Sequence, residues 1–442
     1  MPRVDAYISS SMDTVEEPEL ISVIEPEPPF RILVAGNLTG GARNRNVVEI
    51  DRDNFDSVLA TFAPELRVTF GGSPLTIRIR ELDDFHPDRL FATLAPFAAL
   101  RDLRSRLSNT ETFRAAAAGI FAFDNPPRME SRKAKSGEGL ADVLGISDDW
   151  DRAIREIVAR HATPRPDPRQ PELIAQTDAA IAHHMCAVLH HPAFHEVEAA
   201  WRGVDFLVRR LETGSRIEIH VLDVPKDELL SDAGLAALRY ELSAQEWALI
   251  AGLYEVAPGD EPALMRIAAL ARSAHAPFIA GLAPDALAVD GAFAALRRSP
   301  DASYIGLAFP RFLLRLPYGR ETVPAETFDF EEMPSPPQHE RYLWGHPAIA
   351  CALLLGEAFS QRGWELVPDT RLLIDGLPVH VCRLNGDAEA RPCAEVQLTE
   401  DEIDGLLDCG YIPLVAIRGT DSVRVARIQS ITDPPSRLSG RW

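Results

Sequence analysis

The sequence predicts an α/β fold, in which a small α/β domain is joined to larger, layered α/β domains. The first observation behind this prediction is an alternation of β-type apolar runs and helical segments between residues 217 and 280. The second is a shorter series of the same kind within residues 29–121. The third is a content of 46% hydrophobic residues in 442, which is enough for two to four domains with sizeable cores.

The first 121 residues read as an arm followed by the small domain. Residues 1–28 are acidic and contain prolines, which predicts a flexible arm with Ile21–Ile24 as a short pairing strand. Within residues 29–121 we expect strands at Arg31–Ala35 and Val47–Ile50, a helix capped by Asp53 or Asn54, and a hairpin of Leu66–Phe70 with Leu75–Arg80. One longer helix should follow His86, because leucines recur at helical spacing from Leu90 to Leu107.

Residues 122–172 form a predicted linker with short helices. The helices are expected near residues 141–144 and 150–162. Thr163–Pro171 contains four prolines in nine residues, which predicts a stiff, extended connector because proline fixes φ.

Residues 173–442 form the predicted larger part, with two subdomains that divide near residues 300–340. The expected helices are Leu173–Leu189, Phe194–Leu211, Lys226–Leu242, Pro262–Ala274, His346–Gln361 and Glu400–Asp408. The expected strands are Ile217–Val224, Trp247–Leu253, Ala276–Ala280, Val379–Arg383, Val396–Leu398 and Ile412–Ile417.

Charge and cysteine content narrow the function classes. There are 45 basic and 66 acidic side chains, so the net charge is −21. Such a charge argues against nucleic acid as a partner and disfavours an anionic membrane surface. Five scattered cysteines suggest no disulfide framework, and neither a signal peptide nor a membrane-spanning apolar run is visible. We therefore expect a cytoplasmic protein without membrane insertion.

Two features invite a chemical interpretation. The turn Gly36–Gly41 follows a strand, as a phosphate-binding loop would, but it has neither the dinucleotide fingerprint nor the Gly-Lys-Ser/Thr end of a P-loop. A cluster of histidines with a cysteine could be read as a zinc site, although Pro192 should break the helix that carries them. The cluster comprises His183, His184, Cys186, His190, His191 and His195. A plain turn and helix-end histidines are the favoured interpretations.

The other candidates are weaker. His380, Cys382 and Cys393 are expected to pack rather than to bind a metal, and Cys409 has no paired base nearby in sequence. The carboxylates of Glu400–Asp408 are expected on the solvated face of a helix. With no nucleophile elbow and no HExxH motif, the sequence predicts no catalytic residue, no cofactor and no metal, and therefore a protein that is not an enzyme. A nucleotide- or metal-dependent enzyme is the alternative to this prediction.

The segment Phe309–Gly319 is the most informative part of the chain. It is apolar, contains Pro310 and Pro317, and carries Arg311 and Arg315 four residues apart. The prolines predict a rigid, extended segment. The two arginines could form ion pairs within the chain or contacts to an adjacent protomer, and both interpretations stay open.

Several short segments together resemble one known family. Phe309–Gly319, Phe328–Glu332, Tyr342–Gly345, Gly376–His380 and Tyr411–Leu414 resemble, in the same order, the large subunit (TssC/VipB) of the type VI secretion contractile sheath. Pro29–Gly36, Val48–Phe55 and Leu82–Asp88 resemble its small subunit (TssB/VipA). The likeness covers about residues 29–115 and 170–432, so the chain resembles a fusion of a TssB-like domain with TssC-like domains.

The resemblance implies a mechanical function. Sheath subunits of this family assemble around an inner tube, contract, and drive the tube outward for effector injection. It also implies other copies of the chain, an inner-tube protein, baseplate components and a disassembly ATPase as partners. Family protomers are tied together by donated strands, which makes Ile21, Val23 and Ile24 expected interface residues. Arg311 and Arg315 are the other expected interface residues, through contacts to an adjacent protomer.

One departure from the family leaves two possibilities. The large subunit of the family continues beyond the segment that resembles residues 411–430, whereas this sequence stops at Trp442. We therefore expect either a minimal sheath protomer that links through another route, such as Ile21–Ile24, or a non-polymerising accessory or capping relative.

Overall fold

The fold is organised around one mixed nine-stranded sheet. The computed structural model describes residues 5–6, 21–22, 27–41, 46–70, 73–123, 167–289, 291–384 and 387–442. The strands are β1 Asp5–Ala6, β2 Ile21–Ser22, β3 Phe30–Gly36, β4 Val48–Ile50, β5 Glu65–Phe70, β6 Ser73–Arg78, β7 Ile217–Asp223, β8 Leu249–Val256, β9 Phe278–Leu282, β10 Ile305–Phe309, β11 Phe312–Leu313, β12 Trp344–Gly345, β13 Leu373–Ile374, β14 Val381–Leu384, β15 Asp387–Ala390, β16 Ile412–Ala416, β17 Val423–Val425, β18 Gln429–Ser430 and β19 Ser436–Arg437. The sheet order is β13-β17-β16-β10-β9-β8-β3-β7-β4.

Helices cover both faces of this sheet. In the described part of the chain they are α1 Phe55–Phe62, α2 Pro87–Thr93, α3 Ala98–Ser108, α4 Phe113–Phe123, α5 Gln170–Leu189, α6 Pro192–Arg210, α7 Lys226–Leu229, α8 Asp232–Ala244, α9 Glu261–Ala274, α10 Ala294–Arg297, α11 Pro347–Arg362 and α12 Glu400–Asp408. Alternation along β3 explains the two layers: Ile32 and Val34 belong to the core with α6 and α11, and Leu33 and Ala35 to the core with α8 and α9. The predicted α/β class is confirmed.

Strand β3 joins the two parts that the sequence separated. It pairs in parallel with β7 on one side, with Ile32 opposite Ile219, and with β8 on the other, with Ile32 opposite Leu249. Strand β4 also joins this sheet, next to β7, whereas β5 and β6 form a hairpin of their own. The sheet is thus common to residues 29–121 and 173–442. It is also continuous across residues 300–340, because β10 pairs with both β9 and β16.

Most predicted elements are confirmed, and three predictions are wrong. The long helix after His86 is broken into α2 and α3, because Pro96 cannot donate to an uninterrupted helix. The helix predicted at 226–242 is two helices, since the Ser231 side chain accepts from Gly234 N and caps a new helix. Residues 396–398 lie outside any strand. The helices predicted at 141–144 and 150–162 lie outside the described residues.

Candidate functional site: the Phe309–Gly319 segment and the carboxyl edge of the sheet

The segment Phe309–Gly319 runs from the end of the central sheet into the protein interior. It begins at the end of β10 and continues through β11, which pairs with β12 so that Leu313 lies opposite Trp344. Phe312 and Leu313 are almost completely buried. This placement agrees with the predicted extended segment. It also directs Arg311 and Arg315 towards different surroundings.

Arg315 is the centre of a buried ionic network. Its guanidinium Nε lies 2.8 Å from Glu198 Oε1, and its NH1 lies 2.7 Å from Glu332 Oε2. The side chains of Glu198 and Glu332 are fully buried, and that of Arg315 is 8% exposed. Arg202 adds a second cation through a 2.8 Å contact with Glu198 Oε1, four residues earlier on α6. Two carboxylates and two guanidiniums therefore neutralise one another inside the protein.

Tyr318 and backbone groups complete the network. The Tyr318 hydroxyl accepts from Arg202 NH2 at 3.0 Å, and its backbone N–H donates to Glu332 Oε2 at 2.7 Å. The Arg315 guanidinium also stacks 4.2 Å from the Tyr318 ring. Burial raises the pKa of Tyr318 to about 12. All these groups hold the segment against α6, so this end of it has one preferred geometry.

The charges fix the protonation states of the network. Burial by itself would raise the pKa of Glu332, but Arg315, together with hydrogen bonds from His190 and the Tyr318 N–H, lowers it to about 2. Burial disfavours the charged form of Arg315 too, yet Glu198 and Glu332 hold its pKa well above the usual value. The ion pairs are therefore fully charged at neutral pH.

Arg311 lies in a more open cluster. Its Nε donates to Glu395 Oε2 at 2.7 Å and its NH2 to Oε1 at 2.5 Å, which is a bidentate pair. Glu255 Oε1 lies 3.4 Å from its NH1. The Arg311 side chain is 37% exposed. Both predicted arginines thus form ion pairs within this chain, and contacts of Arg311 or Arg315 to an adjacent protomer stay a prediction.

The predicted interface residues of the arm are far from these arginines in sequence. Ile21 belongs to β2, which pairs antiparallel with β1, Ile21 opposite Ala6. Val23 and Ile24 lie outside the described residues. The arm joins the folded body at Pro28, whose carbonyl oxygen accepts from Trp364 Nε1 at 2.9 Å. Whether β2 also pairs with another chain stays a prediction.

The Gly36–Gly41 turn carries its own anion. The buried Asp223 carboxylate accepts from Leu38 N at 2.8 Å, from Thr39 N at 3.1 Å and from Thr39 Oγ1 at 2.6 Å. These backbone donors are the groups that a phosphate-binding turn would offer to its ligand. Because an internal carboxylate already uses them, the turn is a structural contact between β3 and β7.

The histidine cluster is divided between two helices. His183 and His184 lie on α5, and Pro192 opens α6 as predicted, so His195 lies on the second helix. His190 contacts Glu332 at 3.1 Å. Burial lowers the pKa of His195 to about 4, so its ring is neutral at pH 7. Within the described residues, no group of three or more His, Cys, Asp or Glu side chains could hold a metal ion.

The remaining candidates lie in ordinary packing environments. His380 Nδ1 is 2.7 Å from the Tyr342 hydroxyl, and Cys382 Sγ is 3.6 Å from the Glu389 carbonyl oxygen. Cys393 is buried, and burial raises the pKa of its thiol to about 11. The acidic residues of α12 are exposed, and the opposite face of the helix is buried through Leu406.

Glu198 and Glu332, which pair with Arg315, and Asp223, which pairs with the turn, are not among the site residues predicted from the sequence. Glu198 and Arg202 are spaced four apart on the buried face of α6, which is a recognisable signal for an internal ion pair. Glu332 ends the family-like segment Phe328–Glu332, but nothing in the sequence assigns it to Arg315. Nothing in the sequence marks Asp223 as the partner of the turn, because many strands end in a polar residue.

No described helix has the length and apolarity needed to cross a membrane. The family model VipB, "EvpB/VC_A0108, tail sheath N-terminal domain", matches residues 171–293 and 291–432. A second family model, T6SS_VipA, "Type VI secretion system, VipA, VC_A0107 or Hcp2", matches residues 22–116. These ranges agree with the resemblance predicted for residues 29–115 and 170–432, and the predicted TssB/TssC-like fusion is confirmed.

A curated relative and a solved structure are also similar. The type VI secretion system sheath protein TssC1 of Pseudomonas aeruginosa (strain PAO1) is 27% identical over 304 residues, which is 59% of this chain and 61% of the relative. The chain thus spans about three fifths of that relative's length. A chain of the cryo-EM structure of the anti-feeding prophage baseplate is 16% identical with a TM-score of 0.31, covering 53% of this chain and 51% of that one. A TM-score this low does not establish a common fold.

Proposed function

This chain belongs to the VipB tail sheath family, and we propose that it is a structural protomer of a type VI secretion contractile sheath. It would assemble with other copies of itself around an inner tube and contract to drive effector injection. Its partners would be the inner-tube protein and baseplate components, with a disassembly ATPase as a further partner, all in the cytoplasm. No covalent chemistry is needed for this role, and we propose that the chain is not an enzyme.

The observation that carries the proposal is the occurrence of both sheath-subunit matches in one chain and one sheet. The region that matches the small subunit contributes β3, which lies between β7 and β8 of the region that matches the large subunit. Arg104 Nε and Asp178 Oδ1, 2.5 Å apart, connect the same two regions. Fusion fixes a one-to-one ratio of the two parts and keeps their local concentration at roughly millimolar.

Contraction needs protomers that move as rigid bodies. The work would come from the free-energy difference between two packings of the same interfaces, so the protomer itself must not deform. The buried network of Arg315, Glu198 and Glu332 supports this requirement, because it joins the Phe309–Gly319 segment to α6 through charged hydrogen bonds.

Two alternative functions make different demands on the structure. A non-polymerising accessory or capping protein would share the fold and the ionic network but would stay monomeric or cap the end of a tube. A nucleotide-dependent enzyme would need free donors in the Gly36–Gly41 turn, and Asp223 uses those of Leu38 and Thr39.

Electron microscopy of the purified chain tests the proposal. Negative-stain images would be recorded of the chain alone and with an inner-tube protein from the same secretion system. We expect tubular or ring-shaped assemblies with the inner-tube protein. A chain that stays monomeric at all concentrations, with and without that protein, would replace the sheath proposal by the accessory one.

The arm provides a second test. Strands of two residues are not stable alone, so β1 and β2 should become firmly ordered only against a sheet edge. Deleting residues 1–26 leaves the Pro28–Trp364 hydrogen bond in place. If the edge belongs to a neighbour, as we propose, the deletion abolishes assembly and leaves the melting temperature of the monomer unchanged.

A triple variant with Ile21, Val23 and Ile24 replaced by serine is the control for the length of the arm. It should assemble as poorly as the deletion, because the apolar strand is lost while the arm remains. A lower monomer melting temperature with intact assembly would show instead that the arm pairs with its own chain.

A further inference from the structure

A cavity of about 620 Å³ lies outside the ionic network and the turn. It opens between the β14–β15 hairpin, the loop after β15 and the turn that follows β16. Tyr342 and Trp344 form one wall, with their ring centroids 5.4 Å apart, and Pro337 and Pro392 also line it. A cavity of this size can hold a short stretch of peptide.

Two arginines line this cavity without an ion-pair partner in the described part of the chain. Arg391 comes from the loop after β15 and Arg418 from the turn after β16. Within the described residues, neither guanidinium forms an ion pair, and the Nε of Arg391 is buried without a hydrogen-bond partner. A buried donor without an acceptor costs free energy, and an anion next to the guanidinium would lower the cost of keeping Arg391 charged there. This is unusual in a chain where acidic residues outnumber basic ones by 66 to 45.

The carboxylates around the cavity do not neutralise these arginines. Glu395 lines the cavity, but it is held by the bidentate pair with Arg311 and by a 3.3 Å contact with His339 Nε2. Glu389 is exposed at the rim. Because Glu395 is paired with Arg311, the guanidiniums of Arg391 and Arg418 are opposed only by the carboxylate of Glu389 among the residues that line the cavity.

The turn after β16 keeps Arg418 beside the cavity. Ile417 N donates to Ser422 O at 3.0 Å, and Thr420 N donates to Ile417 O at 3.2 Å. Gly419 has a φ of +72°, a conformation that glycine adopts without strain. Arg418 is therefore displayed from a closed turn rather than from an open loop.

The aromatic wall offers apolar faces, because its polar atoms are already used. The Tyr342 hydroxyl bonds to His380 Nδ1 at 2.7 Å, and Trp344 Nε1 donates to the His339 carbonyl oxygen at 3.3 Å. Extended, proline-containing segments pack well on such aromatic surfaces, and arginines bind carboxylates with geometric specificity.

We propose that this cavity, defined by Arg391, Arg418, Tyr342 and Trp344, binds an extended acidic peptide segment of a partner protein. Carboxylates of the segment contact the two guanidiniums, and its apolar or proline residues pack on the aromatic wall. The inference is independent of the sheath proposal, because it rests on the charge and shape of this cavity alone.

Fluorescence anisotropy with the full-length chain tests the inference. The probe is a labelled peptide with the sequence of residues 13–20, Asp-Thr-Val-Glu-Glu-Pro-Glu-Leu, which supplies four carboxylates and a proline. We expect saturable binding that weakens at least about tenfold in Arg418→Glu and in Arg391→Gln. Arg418 lies in an exposed turn, so Arg418→Glu keeps the test valid if Arg391→Gln does not fold.

Matched controls separate binding in this cavity from general attraction between opposite charges. Arg427→Glu makes the same charge change at a residue outside the cavity and should alter the affinity less than about twofold. Equal weakening by Arg427→Glu would reduce the binding to non-specific electrostatics and overturn the proposal. Equal affinity for a peptide with glutamine and asparagine in place of the acids would overturn it too. Displacement by succinate at concentrations similar to those of the peptide would assign the site to small carboxylates instead.

Discussion

Arg311 and Arg315 lie four residues apart in one segment, yet the fold uses them in opposite ways. Arg315 is 8% exposed and is held by two carboxylates that have no contact with solvent. Arg311 is 37% exposed and pairs with Glu395, which is 8% exposed, and with Glu255, which is 40% exposed. The segment therefore has a locked inner end and an adaptable outer end. We therefore expect Arg311, the more exposed of the two, to exchange its partners with those of a neighbouring molecule more readily than Arg315.

The difference shows how burial changes the free-energy cost of removing one partner of an ion pair. Removing one partner of a buried pair leaves an uncompensated charge in a medium of low dielectric constant, which is costly. Removing one partner of a half-exposed pair leaves a charge that water can solvate. Substitutions at the two arginines should therefore separate in size and in their response to salt and pH.

The largest effect is expected for Arg315→Ala. Glu198 and Glu332 would lose their main cation, and we expect the free energy of unfolding to fall by roughly 3–5 kcal/mol. Urea denaturation followed by circular dichroism measures this change. Arg320→Ala is the control, because the pair of Arg320 with Asp329 is exposed on both sides and should contribute about 0–1 kcal/mol. Similar losses of unfolding free energy in Arg315→Ala and Arg320→Ala would show that burial does not set the strength of these ion pairs.

An intermediate effect is expected from acid. The pKa of Glu332 is lowered from 4.5 to about 2, and a carboxyl with a depressed folded-state pKa stabilises the protein above its unfolded pKa. This stabilisation should be lost as the pH falls from about 5 towards about 2. We expect the melting temperature of Glu332→Gln to be lower at pH 7 and to depend less steeply on pH over this range.

The neighbouring Glu331 supplies the matched control for the acid experiment. Glu331 is exposed, and its side chain accepts from Arg320 N at 3.0 Å. Glu331→Gln should therefore keep the wild-type slope of melting temperature against pH. If both variants lose the slope equally, the acid sensitivity belongs to the surface and not to the buried network.

The smallest effect is expected for Arg311→Ala. The side chain of Arg311 is 37% exposed, whereas that of Glu395 is 8% exposed but keeps its contact with His339, so we expect a loss of about 1–2 kcal/mol in the free energy of unfolding at low salt. The difference from the wild type should shrink in about 0.5 M sodium chloride, because salt screens exposed charges. A loss as large as that of Arg315→Ala would show that the outer end is as tightly locked as the inner end.

Local patterns explain how much of the fold was predictable. Strands β3, β7, β8, β9 and β16 are short apolar runs, and helices α5, α6, α9 and α11 have clear starts, so their positions follow from the sequence to within a few residues. The prediction of one long helix after His86 is wrong because the helical leucine spacing continues across Pro96, which has no backbone N–H to continue the helix. The strand predicted at 396–398 failed because a short apolar run does not form a strand without a partner edge.

The candidate interface was predictable only in part. The sequence singled out Arg311 and Arg315, but it gave the same interpretation to both, because each is an arginine between apolar residues. Arg391 and Arg418 gave no signal, since isolated arginines are common on surfaces. Their role depends on which carboxylates lie nearby and on whether those carboxylates are already paired. Both conditions are set by residues that are close in space but distant in sequence.

By itself the sequence determined the α/β class, most element positions and the kinship with both sheath subunits, because these depend on periodicity and on short segments in a fixed order. Only the tertiary structure decided that β3 lies at the centre of a shared sheet, that Asp223 occupies the Gly36–Gly41 turn, and that Arg315 is buried while Arg311 is not. The physical reason is distance along the chain. Asp223 lies 185 residues from Leu38, and Glu198 lies 117 from Arg315, so no local pattern can encode contacts that arise only when the whole sheet closes.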